Sequence, residues 1–201
     1  MTLALILCLT ATVIPVFFSR IAAAPTWLSL QALTLIWITL FDNGGLSLHS
    51  VLAGLEVLLV RVLLVPYLLH RALRKNRQAR MSLMPSNLFA WGVAITLIIL
   101  AFKFGEGASG DVRALTLGVA AATAMIAFLI LSTNQEPRAQ LVAVLFMENA
   151  LALFESLLPV PWPLPVHLAV SGVYILTVGV GSWLVRGDAT ANPVEPSRQV
   201  P

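Results

Sequence analysis

The chain has 201 residues, 59% hydrophobic and 10% charged, with a mean hydropathy of +0.92. Soluble domains carry about 25% charged residues, and small ones bury only about two-thirds of their surface. So much apolar surface needs lipid as its solvent, which excludes a soluble enzyme, a disulfide-stapled secreted module, a disordered tail and a nucleic-acid binder. The small positive excess, 12 bases against 9 acids, is clustered, and clustered bases report membrane orientation.

A hydrocarbon core of about 30 Å takes around 20 largely apolar residues per helix, within a range of about 17–25. That ruler predicts seven spans: 2–18, 21–41, 47–69, 86–104, 112–132, 139–158 and 164–185. The first residues, MTLALILCLTATVIPVFF, lack a basic start and an Ala-x-Ala-type exit, so they read as a span rather than a cleaved signal. Turn chemistry marks the breaks: DNGG at 42–45, GEGASGD at 105–111, NQEPR at 134–138 and PVPWPLP at 159–165. Pro15, Pro25 and Pro66 predict kinks or helix starts. Runs such as GVAITLIILAF do not alternate, so a barrel is excluded and the backbone must be satisfied within helices. The expected fold is an all-α polytopic membrane bundle of about seven transmembrane helices. It divides into a four-helix segment, 1–110, a three-helix segment, 111–186, and a disordered tail, 187–201.

The bases orient these spans. The loop after the third span holds Arg71, Arg74, Lys75, Arg77 and Arg80; Arg20, Arg138, Arg186 and Arg198 fall on the same side. The other side receives Lys103 and Arg113. The positive-inside rule then places the N-terminus outside and the C-terminus in the cytoplasm.

Four ionisable residues lie within spans: Glu56 and Arg61 in the third, Glu148 and Glu155 in the sixth. A charge at bilayer depth costs about 2.5–3.5 kcal/mol on insertion scales, so it faces a polar interior and commonly serves a function. Glu148, near mid-helix, is a desolvated carboxyl suited to hold or release a proton; the alternative is a protonated donor that packs helices. Asn149 points elsewhere around the helix, toward a neighbouring helix or a water. Glu155 follows Glu148 by about 10 Å of rise and some 20° of rotation, so the two share a face with Ala152 between them. Glu56 and Arg61, roughly 140° apart on one helix, do not face each other. Arg61 therefore looks to an acid on another helix, as modulator or static ion pair, or snorkels; Glu148 and Glu56 are its candidate partners within this chain. His49, one heptad before Glu56, either extends a proton path or marks a surface helix start. Gly172 and Gly179 share one face of the last span and suggest close helix packing. Cys8 has no partner for a disulfide or a metal set, and no nucleotide, metal or triad motif appears, so no cofactor is expected.

Two stretches, VRVLLVPYLLHRALRKN at 60–76 and STNQEPRAQLVAVLFMENALALFE at 132–155, resemble the hydrogenase-4 component E family. Their sharpest elements are VLLVP at 62–66 and MEN at 147–149. The resemblance implies a non-redox membrane subunit of a group 4 hydrogenase or related assembly. It makes 111–186 a segment similar to the K-type subunit of complex I and the C-type subunit of multisubunit sodium/proton antiporters. It implies antiporter-like membrane subunits as partners and a bacterial or archaeal cytoplasmic membrane as the location. By position, Glu148 matches the proton-path acid of the K-type middle helix, and Arg61 a basic residue ahead of VLLVP. Relatives carry a second acid in the last helix, where this chain has Ser171 nearby. The rival readings are a purely structural scaffold and a free-standing small ion or solute transporter.

Overall fold

The computed structural model describes residues 1–18, 21–42, 48–74, 88–108, 111–158 and 162–191, and these are helical apart from short connections, with no strand among them. In chain order the helices are α1 (Thr2–Phe18), α2 (Ala24–Asp42), α3 (Leu48–Val57), α4 (Val65–Arg74), α5 (Leu88–Ala108), α6 (Val112–Thr133), α7 (Pro137–Glu155) and α8 (Leu164–Ala191). A turn of 3-10 helix, Ile21–Ala23, leads into α2, and a π-helical stretch, Leu58–Leu64, joins α3 to α4 in one rod. Six helical stretches are long and apolar enough to cross a membrane: Ile21–Leu40, Ser50–Leu73, Leu88–Glu106, Val112–Thr133, Pro137–Glu155 and Pro165–Leu184. The apolar helix Thr2–Phe17 is shorter and sits at the low end of spanning length. The bulk of the basic loop, 75–87, lies outside the described residues. The tail differs from expectation at its start, because α8 continues through Arg186 to Ala191; residues 192–201 lie outside the described set.

Local chemistry explains the boundaries. Pro137 opens α7, where its missing N–H would be unpaired anyway. Just before it, the Asn134 side chain accepts the Glu136 N–H at 2.9 Å, closing the turn between α6 and α7. Asp111 caps α6 by accepting the Val112 N–H. Pro66 is different, since it lies inside a continuous rod. It offers no N–H to the carbonyls of the preceding turn, and the chain responds by widening into the π stretch, where Val65 N–H reaches back to Val60 O. The Val62 carbonyl then receives the Ser29 hydroxyl of α2, whose single proton is shared between Val62 O at 3.2 Å and Pro25 O at 3.1 Å. A neighbouring helix thus satisfies what proline leaves open, as lipid requires.

The core sits on α6. Its run GVAAAT, 118–123, is buried on every side, and the helix packs against α1, α5 and α7. Small residues let those backbones approach closely, which is how helices associate when lipid is as apolar as their side chains. A Cβ on Gly105 of α5 would come within 2.4 Å of the Ala114 carbonyl of α6, and one on Gly118 within 2.8 Å of the Phe102 ring. The expected packing role of Gly172 and Gly179 fails within this chain. Both face open space, on the same outer side of α8 as Leu176 and Trp183, and the close contact in that helix is Gly181 against Leu141. A shared face identified from spacing does not tell which way the face points.

Gly105→Ala should therefore lower thermal stability in mild detergent by about 1–3 kcal/mol, because backbone cannot rotate out of the way. Gly172→Ala and Gly179→Ala should lose none, and equal melting of all three variants would contradict this packing.

Candidate functional site

Helix α8 presents a polar stripe to the bundle. His167, Ser171, Tyr174 and Thr177 follow at spacings of four, three and three, which keeps them on one helical face. Each meets a polar side chain of α3, the π stretch or α7. His167 Nε2 lies 3.0 Å from Glu155 Oε1. The Ser171 hydroxyl donates to Glu56 Oε1. The Tyr174 ring lies under Arg61, with 4.5 Å from guanidinium carbon to ring centroid. The Thr177 hydroxyl donates to Glu148 Oε1 at 3.1 Å. From His167 to Thr177 the stripe rises about 15 Å, half a hydrocarbon core.

The upper part of this ladder is a cleft. Glu56, Arg61, Glu155, His167 and Ser171 line it together with Ser50, and it holds a cavity of about 60 Å³ that is partly open. That is room for a few waters beside its polar groups, with apolar residues such as Leu35, Val57 and Val170 completing the walls. Glu155 also accepts a backbone N–H from Trp162, so the connection between α7 and α8 helps to hold its carboxylate.

Arg61 forms the floor. It is only 3% exposed, yet among the described residues it has no carboxylate at salt-bridge distance. Its Nη1 donates to Asn149 Oδ1 at 3.0 Å and to the Glu148 backbone carbonyl at 3.3 Å, while Nε has no hydrogen-bond partner. This corrects the expected pairing with a carboxylate. Glu56 is engaged by Ser171 and Glu148 by Thr177, and α7 offers an amide and a carbonyl directly to the guanidinium. The π winding at Leu58–Leu64 also removes Arg61 from the 3.6-residue geometry on which its angle to Glu56 was reckoned. Two neutral acceptors and a cation–π contact, the latter worth about 2 kcal/mol when desolvated, hold a charge that would otherwise be prohibitive.

Asn149, 1% exposed, is the hub of a second network. Its Nδ2 donates to Gln31 Oε1 at 2.9 Å, and Gln31 Nε2 donates to Thr12 Oγ1 at 2.8 Å. Thr12 and Thr123 hydroxyls lie 3.4 Å apart, and Tyr174 OH reaches Asn149 Oδ1 at 3.5 Å. Side chains of α1, α2, α6, α7, α8 and the π stretch are thereby linked through buried polar contacts. An amide does not titrate, so Asn149 is a holder of geometry.

Glu148 and Glu155 both turn to α8, as their shared face requires. Glu148 Oε2 is buried and has no partner among the described residues. The side chain of His49 lies outside the described residues. Gln31, Thr12, Tyr174, Thr177 and His167 escaped the reading of the sequence, which sought ionisable groups near mid-span. The signals were present: a lone amide in LSLQALTL, and polar residues of the last span at helical period. Among the described residues no group of three or more His, Cys, Asp or Glu is placed to hold a metal ion. Comparison of the chain with family models, curated proteins and solved structures finds no match.

Asn149→Leu should cost about 2 kcal/mol or more in detergent unfolding, since it removes an acceptor from a buried charge. Adding Arg61→Met should recover part of that loss by removing the charge itself. Additive losses in the double variant would show that the two side chains do not depend on each other.

Proposed function

We propose that the chain is a non-redox integral subunit of the ion-translocating arm of a hydrogenase-4-like or complex I-like assembly, with an intramembrane proton path centred on Glu148. The observation that carries this reading is the ladder of carboxylates facing α8. Glu155, Glu56 and Glu148 each meet a hydrogen-bond donor on one helix face, from a water-sized cleft down to mid-bundle. Carboxylates at that depth are costly, and an ordered series of them is the usual material of a proton relay. The resemblance of 60–76 and 132–155 supplies the kind of assembly, with antiporter-like subunits as neighbours. Seven crossings, the cytoplasmic C-terminus and a bacterial or archaeal cytoplasmic membrane complete the proposal. The distribution of bases supports the orientation.

In this mechanism a proton passes from the outer cleft to Glu148, and Arg61 stands between them. Its guanidinium, held by Asn149 and the Glu148 carbonyl, tunes the proton affinity of the carboxylates around it. Nε of Arg61 and Oε2 of Glu148, both without partners among the described residues, mark where a rearrangement forced by partner subunits has bonds to gain. A scaffold role has one observation in its favour: the Thr12–Gln31–Asn149–Arg61 network is largely closed and suits static packing.

Glu148→Gln, which keeps the shape and the Thr177 contact, should reduce coupled proton pumping roughly tenfold or more in an assembly of normal composition. Pumping at the wild-type rate would leave only the scaffold. Single cysteines introduced between 75 and 80 should react with an impermeant thiol reagent from the cytoplasmic face; labelling from the outer face would invert the topology.

A further inference from the structure

We propose that the rod formed by α3, the π stretch and α4 holds one anionic phospholipid, with its phosphate on Arg71 and Tyr67 and an acyl chain laid along Leu63 and Leu59. This site is separate from the cleft and independent of the translocation reading. Leu55, Leu59, Leu63, Tyr67 and Arg71 recur at spacings of four, and all five are exposed. In an unbroken α-helix that spacing advances by about 40° per step and would wind into the bundle. The π stretch takes more residues per turn and turns the series back, so it stays on the outer side of the rod. From Leu59 to Arg71 the rise is roughly 18 Å, a little more than one leaflet of a hydrocarbon core about 30 Å thick.

Charge and shape choose the occupant. Arg71 is in no ion pair among the described residues. The sequence has no Asp or Glu between 57 and 105, while Arg74, Lys75, Arg77 and Arg80 follow. A phosphate diester meets this excess, accepting from the guanidinium through two parallel bonds and from the Tyr67 hydroxyl. A zwitterionic lipid gains less, because it brings its own cation to the same place. Tyrosine also suits this depth, with its ring in the apolar zone and its hydroxyl among headgroups. The shape argues against a partner helix. The series contains no small residue, so projecting leucines keep another backbone at a distance. A flexible acyl chain lies beside them without that conflict. The outer face of α8 at Gly172 and Gly179 has the opposite character.

The test introduces Leu63→benzoylphenylalanine into the full chain in its native membrane, and mass spectrometry reads what illumination attaches to it. The expected adduct is a phospholipid with an anionic headgroup. In nanodiscs of equal phosphatidylglycerol and phosphatidylcholine, the same chain should capture phosphatidylglycerol in roughly fivefold excess. Adding Arg71→Gln should remove most of that preference, and Arg71→Lys, which keeps the charge but not the fork, should retain part of it. A protein adduct at position 63 would replace the lipid by a partner subunit and overturn the site. Equal capture of the two lipids would overturn it as well. An undiminished preference in Arg71→Gln would assign the selectivity to the bases beyond Arg71 and not to this face. The adduct and the capture ratio are read with Arg71 in place, so they decide the matter even if Arg71→Gln inserts poorly.

Discussion

A single buried guanidinium organises this bundle. Arg61 enters from the π stretch between α3 and α4, crosses to α7 and lies over a tyrosine of α8. A charge left unpaired at that depth would cost more than the chain's packing could offset. Everything near it is arranged as a consequence. Asn149 must turn its carbonyl toward the guanidinium, so its amide nitrogen points the other way, where Gln31 and then Thr12 continue the chain of contacts. The network therefore crosses the bundle because each amide has two ends to satisfy.

The position of Arg61 depends in turn on the winding of its rod. The proline removes one N–H from the turn where the π stretch Leu58–Leu64 ends, and the wider winding ahead of it carries Arg61, whose guanidinium reaches α7. Ser29 stabilises the same segment from α2. Backbone irregularity in a membrane helix is tolerable only where protein covers it. Here the covering residues and the site residues are neighbours, so the π stretch and the polar floor belong together.

Splitting the carboxylates between α3 and α7, with the donors gathered on α8, has a mechanical consequence. A shift of α8 along its axis would change three donor contacts at once, because His167, Ser171 and Thr177 share a face. The last helix carries no acid over 164–185, yet Ser171 stands against the carboxylate of Glu56. Three helices therefore assemble what one helix pair does not.

Helix locations were legible in the sequence because bilayer thickness sets their length and because Gly, Pro and Asn fix their ends; Pro137 and Asp111 mark α6 and α7 within a residue or two. The depth of Glu148 and Arg61 was legible for the same reason, since a rise of 1.5 Å per residue is local geometry. Partners were not. Whether Arg61 meets Glu148 or Asn149, whether Gly172 or Gly181 packs, and which helix fills the place beside Ser171 depend on how rods rotate and tilt against one another. Periodicity reports a face but not its direction, and a π stretch changes the rotation of everything before it. Composition and spacing thus determined a helical membrane chain with charges at depth, and only packing decided that those charges converge on one face of α8.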